Sequence, residues 1–231
     1  MQFENFTWDF AYRAYLDEAP GLARHADYLA GIFAKARYHL QAEPTCLPAR
    51  QADARLRPVG RRPRASAAAT RAALGLAAGE RLVLVTMGGV PDQPPLPPGV
   101  PDSGVVFALP GAAGALRRDG PWLLLPHRST VYFPDLLAAS DAVIAKLGYS
   151  TVAEAYHAGL PFGFLPRARF PESPVLSEFV EREMPALTLS AESFVAGAWE
   201  EAAARLLVMP PRRRHTINGA DRAGEFIVDL L

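Results

Sequence analysis

The sequence predicts an α/β fold: a Rossmann-like doubly wound parallel sheet with a helical appendage at its N-terminus. Three observations carry this. Runs such as Arg81-Leu-Val-Leu-Val-Thr86 and Ala142-Val-Ile-Ala145 are apolar nearly throughout, as strands buried on both faces require. Segments of helical periodicity alternate with them. The connections are short, and strands joined through helices lie parallel under two helical layers.

The 231 residues suffice for one full α/β domain plus a smaller appendage. We place the appendage and its linker at 1–55 and the Rossmann-like domain at 56–231. Residues 1 to about 40 read as helical, with Phe6, Phe10, Tyr12, Tyr15 and Leu16 forming an aromatic face. A second helix after Pro20-Gly21 carries Leu22, Tyr28, Leu29, Ile32, Phe33 and Tyr38. So many aromatic residues imply that these helices cover another element, a second copy or a partner chain. The Pro- and Arg-rich stretch 43–66 reads as a connector. A short helix from Ser66 to Leu74 ends at Gly75.

The strand 81–86 is expected to end at Gly88-Gly89. Six prolines between positions 91 and 101 then replace the usual helix with a loop. Further strands are expected at 105–109, 122–125, 142–145, 162–165 and 186–189. Helices are expected at 134–140, 151–158 (stopped by Gly159), 174–183, about 192–207 and about 218–231.

Composition narrows the function classes. Formal net charge is zero, which argues against a nucleic-acid or anionic-membrane partner. The basic stretch Arg55–Arg64 lacks interleaved aromatics and reads as a solvated linker. Cys46, the only cysteine, lies between prolines and reads as a structural thiol. The histidines lack metal-ligand spacing, so no metal or other cofactor is assigned. No run reaches the roughly 18 apolar residues of a membrane helix. The N-terminus does not resemble a signal peptide, and the reading is cytoplasmic.

In a doubly wound sheet the ligand sits at the carboxyl ends of the strands. The strongest such end is Lys146-Leu-Gly148-Tyr149-Ser150-Thr151-Val-Ala-Glu154. Gly148 would give a tight turn close to a ligand. Ser150 and Thr151 would open a helix whose first amides suit a diphosphate, with Lys146 adding charge. Glu154, one turn in, could accept hydrogen bonds from two ribose hydroxyls. Thr151 and Glu154 also fit a capping box that binds only the backbone, and the two roles are compatible. At the next strand end, Ser173 would cap a helix, Arg169 could reach phosphate and Glu172 sugar hydroxyls. A surface loop with a local ion pair is the alternative there. Gly88-Gly89 is a weak phosphate-loop signal, and His127 lies on the loop after the 122–125 strand.

The run Phe133-Pro-Asp-Leu-Leu-Ala-Ala-Ser-Asp-Ala-Val-Ile-Ala-Lys-Leu-Gly-Tyr-Ser-Thr-Val-Ala-Glu-Ala-Tyr-His-Ala-Gly-Leu-Pro-Phe162 resembles the donor-binding domain of GT-B-type glycosyltransferases. It is similar in style to the N-acetylglucosaminyltransferase of peptidoglycan synthesis and the glycosyltransferase-like region of L-arabinokinases. Phe170-Pro-Glu-Ser-Pro-Val-Leu176 and Asn5-Phe-Thr-Trp-Asp9 resemble the arabinokinase-like branch. The resemblance covers most of 80–190 and that short N-terminal piece.

It implies a nucleotide diphosphate sugar as ligand, a UDP-sugar first of all. Glu154 matches the ribose-binding glutamate, and Ser150 and Thr151 the phosphate-contacting helix start. Glu172 falls on the loop that touches the donor sugar, and 127–133 corresponds to the segment packed against the base. The family also has a large N-terminal acceptor domain that often supplies the catalytic base, of which this chain carries only the end. The expected function is therefore a glycosyltransferase-like domain, incomplete for catalysis by itself, with the catalytic residue unassigned. The alternative is a non-enzymatic nucleotide-sugar sensor or protein-interaction module. A sugar epimerase of related fold is weaker, because it would need acidic groups from both walls of a cleft.

Overall fold

The computed structural model describes residues 1–87, 104–212 and 217–231. The chain divides into two compact units, one of Met1–Gly60, Arg167–Glu178 and His215–Leu231, the other of Arg61–Pro166 and Phe179–Arg214.

The first unit opens with β1 (Gln2–Glu4), followed by α1 (Trp8–Arg13), α2 (Ala23–Phe33), β2 (His39–Ala42) and β3 (Ala54–Leu56). The strands form a parallel sheet in the order β1-β2-β3. The segment is thus not purely helical as read from sequence. Strands of three or four residues are too short to show a period of two against the aromatic helical pattern around them. Leu40, Ala42 and Leu56 form the buried centre. Behind Glu4, His39 Nε2 and Glu4 Oε1 lie 2.7 Å apart, and Gln41 Nε2 donates to the same oxygen at 2.8 Å. Trp8 and Tyr28 are 59% and 70% exposed, whereas Phe6, Phe10, Tyr12, Tyr15 and Leu16 of the expected aromatic face are half-buried.

The second unit starts with α3 (Ala67–Ala73), where the Ser66 hydroxyl accepts from the Ala69 amide. Then come β4 (Arg81–Thr86), β5 (Val105–Ala113), β6 (Arg117–Asp119), β7 (Trp122–Pro126), α4 (Phe133–Ala138), β8 (Ala142–Lys146), α5 (Tyr149–Ala158) and β9 (Phe162–Leu165). After them follow α6 (Ser173–Glu183), β10 (Ala186–Thr188), α7 (Ala191–Val195) and α8 (Trp199–Leu207), and the boundary between units falls inside α6. The single helix expected over 192–207 is split because Gly197 takes a positive φ of 76° between α7 and α8. α9 (Gly219–Val228) belongs to the first unit. Its Phe226 ring meets Tyr38 edge-on at 5.9 Å, so the last helix packs with the small sheet.

The large sheet has the order β10-β9-β8-β4-β5-β7-β6, parallel except for β6, which pairs antiparallel with β7 as an edge hairpin. The chain enters at β4, winds outward through β5 and β7, and returns to β8 on the other side of β4. That reversal is the expected doubly wound pattern, and it puts the switch point of the sheet between β4 and β8. The sheet packs against α8 through Val83, Phe107, Ile144, Trp199 and Leu206. Gly163 sits tightly there, since a Cβ would lie 3.0 Å from Leu206 Cδ1 and 3.3 Å from Ile144 Cγ1.

One edge contact has a pH dependence. Arg118 Nη2 donates to Glu80 Oε1 at 2.8 Å and the Ala77 amide to Oε2 at 2.7 Å. Arg118 first, and then that amide, hold the Glu80 carboxyl below its usual value. A depressed carboxyl contributes stability above its unfolded pKa and loses it as pH falls through the folded one. Glu80→Gln is therefore expected to be less stable than the parent at neutral pH. In urea denaturation the gap should narrow below about pH 4. A gap that stays constant from neutral pH into acid would show that the charge is not responsible.

No helix among the described residues is long and apolar enough to cross a membrane.

Candidate functional site

The site forms in the second unit where β8 runs into α5. Lys146 ends the strand and is half-buried. Gly148 is the N-cap with an extended backbone, φ −156° and ψ 136°. Any residue adopts that conformation, so the short turn from β8 into α5 does not rest on glycine's freedom, and among the described residues nothing lies within 4 Å of where a Cβ would stand. α5 begins at Tyr149, two residues earlier than expected, which puts Ser150 and Thr151 inside its first turn. The first intrahelical bond runs from the Val152 amide to the Gly148 carbonyl at 3.0 Å. The amides of Ser150 and Thr151 precede it and have no acceptor among the described residues.

The capping box does not form. Among the described residues no side chain caps α5, and Glu154 turns elsewhere. Its side chain is only 2% exposed, and both oxygens are held by Arg61: Nε donates to Oε1 at 2.6 Å and Nη2 to Oε2 at 3.3 Å. Arg61 is itself 54% exposed. Its hydrogen bond to Glu154 raises the guanidinium pKa above the ordinary value. Reading Arg55–Arg64 as solvated linker was therefore wrong at its end. A carboxylate buried on a packed helix needs hydrogen-bond donors, and Arg61, 93 residues away in sequence, supplies them.

The strap after Arg61 is fixed. Asp135, buried on α4, accepts from the Arg64 amide at 2.5 Å and the Ala65 amide at 3.1 Å through Oδ1. The Arg64 guanidinium lies 4.1 Å from the centre of the Tyr132 ring. That of Arg61 lies 5.5 Å from Tyr132 and 6.0 Å from Phe133. These two rings also wall a cavity of about 210 Å³ at the end of β7, with Leu125, Leu136, Val131 and His127 among its other lining residues. Complete small-molecule sites run to roughly 300–1,000 Å³, so this one is sized for part of a ligand, such as one ring. The structure thus brings His127, Ser150, Thr151 and Glu154 into one unit, with Arg61 spanning from the rings to Glu154.

The remaining candidates fall differently. Gly88 and Gly89 lie outside the described residues. Arg169 and Glu172 belong to the first unit. There Arg169 pairs with Glu18 at 2.8 Å, and its carbonyl accepts from the Tyr15 hydroxyl. The Ser173 hydroxyl accepts from the Arg167 amide at 2.8 Å and so closes the 167–173 loop. Arg167 stacks on the Phe170 ring at 3.0 Å. Among the described residues no group of three or more His, Cys, Asp or Glu is placed to hold a metal ion.

No protein-family model matches the chain. The resemblance carried by 133–162 and 170–176 is found in a curated relative, an L-arabinokinase of Arabidopsis thaliana. It is 28% identical over 225 residues, 96% of this chain and 22% of that protein. The chain therefore spans about a fifth of that relative's length. Among solved structures it is similar to the glycosyltransferase SnogD of Streptomyces nogalater, 19% identical over 90% of this chain and 62% of that one, with a TM-score of 0.49. It is also similar to the glycotransferase of kitacinnamycin, 19% identical over 95% and 62%, with a TM-score of 0.46.

Proposed function

We propose that the second unit is a glycosyltransferase-like module that binds a nucleotide diphosphate sugar. The observation that carries this reading is the placement of Glu154: a nearly buried carboxylate one turn into the helix that leaves β8, joined through Arg61 to the two rings that wall the cavity. A base seated against Tyr132 and Phe133 directs its ribose toward Glu154, whose two oxygens match two vicinal hydroxyls. The diphosphate then meets the open amides of Ser150 and Thr151, where aligned peptide dipoles favour an anion. In a transfer step the bond from the donor sugar's anomeric carbon to the diphosphate oxygen breaks. The diphosphate leaves with that electron pair, an acceptor hydroxyl oxygen forms the new bond, and its proton passes to a base. The helix start stabilises the charge on the leaving group.

Calorimetric titration with UDP-glucose and UDP-N-acetylglucosamine tests the reading. Saturable binding is expected, weakened at least about tenfold in Glu154→Ala, the equivalent of roughly 1.4 kcal/mol. Heats no different from dilution at millimolar ligand would remove the reading. The exposed Trp8 and Tyr28 favour a second one, a binding module that associates with a second copy of the chain through these side chains.

A further inference from the structure

We infer that Arg61 holds the place of a nucleoside diphosphate at Glu154 and, once displaced, becomes the side chain that binds the diphosphate. The inference rests on the nucleotide reading above and adds a residue and an exchange to it.

The carboxylate is blocked in the unliganded protein. Both Glu154 oxygens are taken by Arg61, at 2.6 and 3.3 Å, and the side chain is 2% exposed, so no ribose reaches it while the pair stands. The pair cannot simply dissolve, because a buried carboxylate without donors is costly. Water entering the vacated position satisfies the carboxylate only in part, whereas an incoming group with two hydrogen-bond donors at the right spacing replaces the guanidinium fully. Vicinal ribose hydroxyls have that form.

Arg61 is built to leave. Its side chain is 54% exposed and held at the tip, whereas the backbone three and four residues on is pinned to Asp135. The side chain can therefore swing while the strap stays in place. Its destination is close. Glu154 lies four residues past Ser150 on α5, and at 1.5 Å per residue that is about 6 Å along the helix axis. A guanidinium leaving Glu154 thus needs a displacement of about one side-chain length to meet an anion bound at the helix start.

Charge closes the exchange. Glu154 and Arg61 neutralise one another in the unliganded protein. When neutral hydroxyls take over Glu154, the freed guanidinium lacks an anion, and the ligand's own diphosphate supplies one. Arginine suits it, because its fork of donors bonds phosphate oxygens in pairs. A nucleoside without phosphate opens the pair and leaves the arginine uncompensated, so Arg61 should add to the discrimination between nucleoside and nucleoside diphosphate that the helix start provides.

The test measures binding of uridine and UDP, adenosine and ADP, and guanosine and GDP to the wild-type chain and to Arg61→Ala. In the wild type the diphosphate of the accepted base should bind far more tightly than its nucleoside. In Arg61→Ala the nucleoside should bind more tightly than before and the diphosphate less tightly. Their ratio should fall at least about tenfold, the scale of one charge-assisted phosphate contact. Should Arg61→Ala not fold, Arg61→Gln leaves Glu154 a neutral donor and is expected to show the same loss of ratio. A ratio unchanged in the variant overturns the exchange and leaves the nucleotide reading standing. A wild type that binds none of the three diphosphates at millimolar concentration overturns both.

Discussion

Replacing Gly219 by alanine is expected to destabilise the first unit by on the order of 3 kcal/mol, as overpacking against a rigid neighbour does. The reason is local. Gly219 is the first residue of α9, and a Cβ there would overlap the carbonyl oxygen of Arg57 and come within 3.0 Å of Val59 Cγ2. The Gly219 amide donates to the Pro58 carbonyl at 3.2 Å, and Asn218 Nδ2 to the Gly60 carbonyl at 2.6 Å. Asn218 Oδ1 also caps the helix by accepting from the Ala220 amide at 3.0 Å. The obstructing atom is backbone, so no rotamer change relieves the clash. α9 must shift, and with it Ala223 and Phe226 leave Leu40, Ala42 and Leu56. Urea denaturation followed by circular dichroism measures the loss. Gly224→Ala is the control, because nothing lies within 4 Å of that position, and it should be neutral or stabilising. Equal stabilities for the two variants would show that α9 does not depend on this approach.

That dependence was not legible in the sequence, and the reason is instructive. The strands of the large sheet announce themselves as apolar runs because they are buried on both faces, as with Val83, Leu84, Val143 and Ile144. The helices between β7, β8, β9 and β10 then predict parallel strands there. The small sheet has no such signal. Gln41 is buried within β2 through hydrogen bonds to Glu4 and the Leu47 carbonyl, so a polar residue occupies a core position. The affiliation of α9 is set by contacts more than 150 positions apart in sequence, such as Tyr38 with Phe226. The site divides in the same way. Ser150, Thr151 and Glu154 follow from one strand end and one helix start, which are local. Arg61 is 93 residues from Glu154, and no periodicity connects them. The capping box fits the local sequence, but the helix begins three residues earlier than it requires, and tertiary pairing took the carboxylate.

The Arg61–Glu154 pair is expected to respond asymmetrically to the loss of either partner. Arg61→Ala leaves a carboxylate on the buried face of α5 without donors. The cost is about 2 kcal/mol, below the roughly 3–5 of a fully enclosed pair because the vacated guanidinium position opens to water. Glu154→Gln leaves instead a guanidinium that is already 54% exposed, which water and the Tyr132 and Phe133 rings continue to solvate. Its cost should stay below about 1 kcal/mol. The double variant should recover most of the loss of Arg61→Ala, since a neutral amide no longer demands a cation. Denaturant unfolding of the four proteins forms a cycle whose coupling term isolates the pair. Equal penalties for the two single variants, with no recovery in the double, would mean that the carboxylate is solvated by other means. In that case Arg61 would not be what keeps Glu154 satisfied before a ligand arrives.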